Sequence, residues 1–306
     1  MHILILGALG ALGTRLRPLL IERGHKVAAS DLAHCELDGY RRCDISEYRQ
    51  IERVVTETAP DIVYHLAAEF GRMNGEDFYE NLWRTNAVGT KNIIRVQERT
   101  GFRLVYTSSS EVYGDQGGVI TEDVMDRVPI NQLGDYAISK WVNELQIRNS
   151  VRLHGTETVV LRLFNNYGPG EYYSPYRSVV CAFIHWAMNN IPYKVYTQHT
   201  RNFTYVDDTI RTMANVAENF HPGKVYNIAA AVTSTVKDVS DIILKLLNKS
   251  DDLVSYHAVQ ENTVLHKLVD ASRARAEIGH KDSVSIEEGL ARTVEWQKHI
   301  AGGNGA

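Results

Sequence analysis

The sequence predicts an α/β fold in which a doubly wound parallel sheet is joined to a smaller C-terminal α/β lobe. Short apolar runs alternate with longer amphipathic stretches through most of the first 230 residues, which is typical of a parallel sheet covered by helices on both faces. A glycine-rich turn follows the first apolar run. After about residue 165 the alternation gives way to connections rich in Gly, Pro and Tyr, which indicates a separate, smaller unit.

The apolar runs predict strands and the amphipathic stretches predict helices, in regular order. Strands are expected at residues 2–6, 26–30, 61–66, 104–107 and 158–164. Helices are expected at residues 12–23, 47–58, 78–100, 134–154, 178–189, 236–247 and 285–301. The predicted organisation is a sheet domain at 1–165 with a returning segment near 201–230, a lobe formed mainly by 166–300, and a disordered tail at 301–306.

The composition argues against several classes of function. A chain of 306 residues that is 44% hydrophobic and 23% charged can bury a large core. Its net charge of −4, without a long basic run, gives no reason to expect nucleic acid or a membrane surface as a partner. The three cysteines and 12 histidines have the spacing of neither a disulfide framework nor a metal site, so we expect no metal and a reduced, cytoplasmic protein.

The first strand runs into a glycine triplet, Gly7, Gly10 and Gly13, that opens the first predicted helix. Glycines at such a turn permit close approach of the backbone to a pyrophosphate and tight packing of the helix on the strand, while the helix N-terminus offers free N–H groups. Asp31 follows the next predicted strand, where a carboxylate accepts hydrogen bonds from ribose hydroxyls and repels a 2′-phosphate. The pattern predicts a Rossmann-type domain that binds NAD.

Two features near this turn leave alternatives open. Asp44 and Ile45 lie before the helix expected at 47–58, where a further strand would end and the Asp44 carboxylate could reach the adenine amino group; a solvated turn aspartate is an equal alternative. Arg41 and Arg42 are groups that could hold a 2′-phosphate, which would favour NADP.

A serine cluster and a Tyr-x-x-x-Lys sequence predict the catalytic end. Ser109 lies where a strand ends, and Tyr136 and Lys140 lie near the start of a helix, where residues four apart share one face. An adjacent ammonium favours the phenolate, so we expect the pKa of Tyr136 to fall from about 10 toward the range of a general base. A serine hydroxyl can share the proton. This set suits removal of a proton from a secondary alcohol while its hydride passes to nicotinamide.

These motifs resemble those of the extended short-chain dehydrogenase/reductases, in the NAD-dependent epimerase/dehydratase family of nucleotide-sugar enzymes. The resemblance covers nearly the whole chain and rests on GALGALG (7–13), HLAA (65–68), NAVGT (86–90), SSSEVYG (108–114), YAISK (136–140), NNYGP (165–169), RNFTYVDD (201–208) and YNI (226–228). It implies tightly bound NAD, a C-terminal lobe that binds a nucleotide-diphosphate sugar, transient oxidation of the sugar at C4, and commonly a homodimer.

The resemblance also implies roles for individual residues. Tyr136 would be the base, Lys140 would lower the pKa of Tyr136 and contact the ribose, and Ser109 would be the hydroxyl partner. The residues expected to bind are Leu66, Ala67 and Ala68 for the cofactor, and Asn165 and Arg201 for the sugar and its diphosphate.

The residues after Ser109 should decide which reaction succeeds the oxidation at C4. The family's 4,6-dehydratases carry Asp-Glu there and simple 4-epimerases generally lack both acids, whereas Ser110–Glu111 resembles the pair in UDP-glucuronate decarboxylases. Glu111 therefore favours chemistry at C5, by decarboxylation or another route, over plain 4-epimerisation; a glutamate that only caps the next element is the alternative. A net NAD(P)H-dependent reductase and a non-enzymatic NAD-binding scaffold are the rival classes.

The sequence gives less specific predictions for the positions of four further residues. Lys267 stands where the family often has an arginine that touches phosphate, so its contact is left open. Arg72 follows the cofactor segment and is placed to reach the sugar, and Arg177 lies on a loop that could reach the substrate or an interface. We expect His199 at the surface.

Overall fold

The computed structural model describes residues 1–260 and 263–303. In chain order its elements begin with β1 (His2–Leu6), α1 (Gly13–Glu22), β2 (Lys26–Asp31), β3 (Tyr40–Arg42), α2 (Tyr48–Thr58), β4 (Ile62–His65), α3 (Arg72–Asp77), α4 (Tyr79–Leu82), a π-helix (Trp83–Gly89), α5 (Thr90–Thr100), β5 (Arg103–Ser109), a 3-10 helix (Ser110–Tyr113), β6 (Val119–Ile120), another 3-10 helix (Glu122–Asp126) and α6 (Asp135–His154). They continue with β7 (Thr158–Leu163), β8 (Asn166–Tyr167), α7 (Val179–Met188), β9 (Tyr193–Tyr196), β10 (Thr200–Arg201), β11 (Thr204–Tyr205), α8 (Val206–Glu218), β12 (Val225–Ile228), β13 (Ser234–Thr235), α9 (Val236–Leu247), β14 (Val254–His257), β15 (Leu268–Val269), α10 (Ser272–Ile278) and α11 (Ile286–Gly303).

The main sheet has seven strands in the order β12-β7-β5-β4-β1-β2-β3, and every neighbouring pair is parallel. The chain moves from β1 through β2 to β3 at one edge, then returns to β4 on the other side of β1 and continues to the opposite edge. The chain therefore reverses its direction across the sheet between β1 and β4, and the carboxyl ends of these strands are where an open sheet binds its ligand. The predicted doubly wound Rossmann-type fold is confirmed.

Alternate residues of the central strand pack on opposite faces of the sheet. Ile3 and Ile5 belong to the larger core cluster with the inner faces of α1 and α8, whereas Leu4 and Leu6 pack with α2 and α5. A strand buried on both faces needs a continuous apolar run, which is what His2–Leu6 supplies after its first residue.

The second half of the chain contributes to both units. Strand β12 completes the main sheet, and α8 packs against α1. Helix α9 packs on α7 and α11, and short pairs such as β9 with β14 and β10 with β13 complete this smaller lobe. None of the helices in the described residues has the length and apolar character needed to cross a bilayer.

The five predicted strands are found to within one or two residues, and the long helix predicted at 78–100 is present with one departure. Its residues 79–100 are continuously helical, but Trp83–Gly89 within them form a π-helix between α4 and α5. The amide of Asn86, in the π-helix, binds both the backbone N–H and the carbonyl of Glu69, at 2.9 and 3.0 Å. Hydrophobic spacing does not reveal such a tertiary contact. The expected disordered tail is also partly wrong, because α11 runs to Gly303; residues 304–306 lie outside the described residues.

Candidate active site

One large cavity of about 1120 Å³ lies at the carboxyl ends of the main-sheet strands and extends under the smaller lobe. It brings together all of the predicted site residues, which are Gly7, Gly10, Gly13, Asp31, Asp44, Ile45, Leu66, Ala67, Ala68, Arg72, Ser109, Ser110, Glu111, Tyr136, Lys140, Asn165, Arg177, Arg201 and Lys267. Residues that are up to 260 positions apart in the sequence therefore share one cleft.

The glycine turn at one end of the cavity has no room for side chains at two of its three glycines. Gly7 has φ +84°, and a Cβ there would lie 2.5 Å from the Ala67 backbone nitrogen. A Cβ on Gly13 would lie 2.6 Å from the Cα of Ala8. At Gly10 a Cβ would meet only a carbonyl oxygen, at 3.4 Å, and would otherwise extend into the cavity that Gly10 lines. The backbone at the start of α1 thus forms a concave surface that even a methyl group would fill. Such a surface can bind a dinucleotide pyrophosphate.

Asp31 joins the glycine turn to the end of β2. Its carboxylate accepts hydrogen bonds from the backbone N–H groups of Leu9, at 2.9 Å, and Leu32, at 2.7 Å. These bonds hold the carboxylate at the cavity wall, and its remaining lone pairs can still accept from ribose hydroxyls.

The neighbouring residues also fit NAD. Asp44 accepts from the Ser46 N–H at 2.9 Å and lines the cavity. Arg41 is ion-paired with Glu57 at 3.0 Å, and the Arg42 Nε donates to a backbone carbonyl at 2.9 Å. Because both guanidinium groups have partners on the protein, the alternative of a 2′-phosphate site receives no support from their positions.

Ser109, Tyr136 and Lys140, the proposed catalytic set, lie where β5 ends against α6. The Ser109 hydroxyl is near enough to the Tyr136 hydroxyl to lower its pKa. Ser109 also accepts from the Glu111 N–H at 3.2 Å, which caps the 3-10 helix that follows β5. The Lys140 Nζ donates to the Thr107 carbonyl at 3.0 Å and lies 5.9 Å from the centre of the Tyr136 ring.

The expected lowering of the pKa of Tyr136 is wrong for this structure. Burial raises the pKa of Tyr136 to about 12, against a lowering by the Ser109 hydrogen bond, and the negative charge of Glu111 raises it further. Burial also lowers the pKa of Lys140 to about 8. Both charged forms are disfavoured by lost hydration. The Lys140 ammonium donates to the Thr107 carbonyl rather than to the phenol, so burial sets the direction of the pKa of Tyr136 in this structure.

Glu111 forms an ion pair with Lys267, with 2.7 Å between Oε1 and Nζ. Burial raises the pKa of Glu111, but the charges of Lys267, Arg72 and Arg201 outweigh it and hold this pKa below its usual range. The alternative that Glu111 only caps a helix is wrong, because the capping oxygen belongs to Ser109 and the glutamate side chain reaches Lys267. The Glu111 carboxylate therefore lies within the field of three cationic side chains.

The remaining predicted residues surround this charged group. Asn165 has φ +37° and donates weakly to a backbone carbonyl at 3.5 Å, and the Arg201 Nη1 donates to the Leu265 carbonyl at 3.0 Å. The Arg177 guanidinium lies 4.0 Å from the centre of the Phe70 ring, so two loops meet over the cavity.

His199 is not at the surface as expected. It is 3% exposed and lines the cavity, with the Gln260 N–H donating to its Nε2 at 2.9 Å. Within the described parts of the chain, no three His, Cys, Asp or Glu side chains are grouped as metal ligands.

The sequence reasoning missed an ion pair behind the catalytic set. Arg162, on β7, and Glu144, on α6, are 0% and 1% exposed and lie 2.7 Å apart. Two signals were available: an arginine interrupts an apolar strand, and Glu144 continues the four-residue spacing of Tyr136 and Lys140.

Comparison with known proteins finds a family model and relatives that match most of the chain. The model of the NAD dependent epimerase/dehydratase family matches residues 3–229. A UDP-N-acetyl-alpha-D-glucosaminuronate decarboxylase from Bacillus cytotoxicus is 28% identical over 97% of this chain and 98% of its own length. A dTDP-glucose 4,6-dehydratase from Neisseria meningitidis is 26% identical over 89% of this chain and 82% of its own length.

The structural comparison agrees with the family match. The structure of an epimerase from Methanothermobacter thermautotrophicus superposes with a TM-score of 0.89 at 26% identity, covering 98% of this chain and 93% of that one. Since the family model spans most of the chain and the sheet carries the glycine turn and the Ser-Tyr-Lys set that the family implies, this protein belongs to the NAD-dependent epimerase/dehydratase family.

Proposed function

We propose that this protein uses bound NAD to oxidise C4 of a nucleotide-diphosphate sugar and then catalyses a reaction at C5, with loss of a C5 carboxylate as the leading outcome. The observation that carries the proposal is the convergence of two groups on one cavity: the Ser109–Tyr136–Lys140 set and the Glu111–Lys267 pair. A simple dehydrogenase needs the first group only.

The first group handles a proton. Tyr136, next to Ser109, is placed so that its phenolate takes the proton of the C4 hydroxyl, and the Lys140 ammonium, 5.9 Å from the ring centre, is the neighbouring positive charge that can stabilise this phenolate. NAD, held by the glycine turn and Asp31, supplies when bound the acceptor for the C4 hydride.

The second group favours an acidic sugar. Lys267, Arg72 and Arg201 all act on the Glu111 carboxylate, so cationic side chains are grouped at this part of the cavity. Lysine and arginine side chains bind carboxylates and phosphates, which suits a sugar that carries its own carboxylate in addition to its diphosphate. With a ketone at C4 this carboxylate belongs to a β-keto acid: the C5–C6 bond breaks, its electron pair enters the enolate, and carbon dioxide leaves. C5 then takes a proton, for which the Lys267 ammonium is a nearby donor. Return of the hydride to the C4 ketone restores the alcohol, so the whole reaction consumes no external oxidant.

Product mass distinguishes the possible reactions. Purified enzyme is incubated with UDP-glucuronate, UDP-glucose and dTDP-glucose in turn. We expect loss of carbon dioxide from the uronate. Loss of water would show a dehydratase, an unchanged mass with a new isomer would show a 4-epimerase, and a stoichiometric requirement for added NAD(P)H would show a reductase. No conversion of any nucleotide sugar would refute the proposal.

The variant Glu111→Gln tests the chemistry at C5 separately. Oxidation at C4 should still give the absorbance of reduced nicotinamide, while product release falls about 100-fold. Glu295→Gln, at an exposed position, serves as the control. Turnover of Glu111→Gln at the wild-type rate would exclude a role for this carboxylate.

We also infer that the enzyme is a cytoplasmic homodimer. Helix α6 and the π-helix pack side by side, and Ile138, Leu145 and Val88 on them are 36%, 47% and 50% exposed. An apolar face of this kind is buried when a second copy presents the same face across a two-fold axis. Leu145→Glu should convert a dimer to a monomer in light scattering, and a wild-type monomer would refute the inference.

The proposed compartment has separate support. Cys35, Cys43 and Cys181 are all free thiols, as expected where disulfides do not form. Fractionation of the producing cells tests it, and recovery of the enzyme outside the cytoplasm would be the contrary result.

A further inference from the structure

A buried ion pair lies behind the catalytic set and outside the cavity lining. The Arg162 guanidinium donates from Nε to Glu144 Oε1 at 3.0 Å and from Nη2 to Oε2 at 2.7 Å, so the pair is bidentate. The other end of the guanidinium donates from Nη1 to the Tyr113 hydroxyl at 2.6 Å and to the Glu122 carbonyl at 3.0 Å. Every group of this pair therefore has a partner within the protein.

The pair is connected to both elements that carry the catalytic residues. The Ser108 hydroxyl, next to Ser109 on β5, donates to Glu144 Oε1 at 2.6 Å. Ser108 is also the register partner of Arg162 on β7. On α6, Glu144 lies one turn after Lys140, whose Nζ donates to the carbonyl of Thr107 on β5. The end of β5 is thus bound to α6 at two consecutive residues.

Stability alone does not account for such a pair. Removing two charges from water costs about as much as their attraction returns, and apolar residues of similar size often stabilise a core equally well. A role in the catalytic set explains why charged residues occupy this place.

We propose that the Glu144–Arg162 pair is a positioning pair that fixes Lys140 and Ser109 relative to each other. Neither residue touches the cavity, so both act through their neighbours. The inference rests on the proposed function, in which Lys140 stabilises the Tyr136 phenolate.

The charges around Lys140 agree with this role. Burial lowers the pKa of Lys140, and Glu144 is the group that opposes this effect. Removal of Glu144 should therefore lower the pKa of Lys140 further, and the ammonium would be lost near neutral pH.

The test uses the double variant Glu144→Leu/Arg162→Met, because Glu144→Gln alone leaves a buried unpaired guanidinium and is expected to destabilise the fold. The titration of Lys140 is followed by NMR of protein labelled with ¹³C at lysine Cε, with Lys140→Met to assign the signal. The alkaline limb of kcat against pH is measured on the same protein. Arg148→Met, which removes the exposed ion pair of Arg148 with Asp126 on the same helix, is the control.

In the double variant we expect the Lys140 titration and the alkaline limb to move down by about one pH unit, with kcat at pH 8 falling about 5-fold because the ammonium fraction falls by that factor. KM for the nucleotide sugar should change by less than about two-fold, because the cavity wall is unaltered. An unmoved Lys140 titration would overturn the proposal, and so would lower activity with an unshifted pH profile, since that shows a merely structural role. If the wild type converts no nucleotide sugar the proposed function fails, yet the NMR titration still decides the positioning role.

Discussion

The two ends of the cavity are built in different ways. At the cofactor end, the turn from Gly7 to Gly13 follows directly from β1, and the contacts that define it are between backbone atoms. At the substrate end, the defining contact joins the side chains of Glu111 and Lys267, which are 156 residues apart. Binding at the cofactor end therefore depends on the steric fit of the backbone, whereas the properties of the substrate end depend on charge. Mutations should therefore affect the two ends through different observables: affinity for the dinucleotide at one, pH dependence and substrate choice at the other.

The largest expected effect lies where the two ends meet. Tyr136→Phe removes the hydroxyl that lies beside Ser109 in the proposed catalytic set and should lower kcat about 1000-fold. Binding of NAD and of nucleotide sugar, measured by calorimetry, should persist because the ring is kept. Tyr172→Phe, at a position 63% exposed, is the matched control. Turnover near the wild-type rate in Tyr136→Phe would refute the assigned base.

A smaller effect separates steric fit from charge at the cofactor end. Gly7→Ala places a Cβ 2.5 Å from the Ala67 nitrogen at a φ of +84°, so we expect a lower Tm and loss of NAD binding by about 100-fold or more. Gly10→Ala meets only one atom, at 3.4 Å, and should keep its Tm while NAD binding weakens. Equal behaviour of the two variants, in thermal melts and NAD titrations, would mean that the turn is not the concave surface we describe.

The smallest expected effect concerns charge at the substrate end. Lys267→Met removes one of the cations that lower the pKa of Glu111, so this pKa should rise and the acid limb of kcat/KM should move up by about one pH unit. Lys298→Met, on an exposed pair, is the control. An acid limb that stays in place would show that Glu111 does not titrate in the reaction.

The same variant has a stability signature with a defined sign. Because the pKa of Glu111 is lowered in the folded protein, its pairing adds stability above its unfolded pKa of about 4.3, and this stability is lost as the pH falls through the lower folded value. The Tm deficit of Lys267→Met should therefore be larger at about pH 7 than at about pH 3. A deficit that grows toward acid would contradict the lowered pKa.

Much of this protein can be predicted from local sequence. The apolar run at His2–Leu6, the glycine spacing and the Tyr-x-x-x-Lys spacing each set a conformation or a shared helix face within a few residues, so the sheet and the cofactor end could be predicted. The π-helix could not, since it depends on a hydrogen bond from Asn86 to a loop 17 residues away.

Only the tertiary structure decided the electrostatics of the site. Three contacts decide these electrostatics: Glu111 with Lys267, buried His199 with the Gln260 N–H, and Glu144 with Arg162. Each contact joins separate segments of the chain, and no regular spacing in the sequence predicts it. The direction in which the pKa of Tyr136 shifts also depends on the tertiary structure, because burial removes water from around the phenol. Periodicity and turn chemistry act over neighbouring residues and are visible in the sequence, whereas desolvation and charge pairing depend on three-dimensional distance.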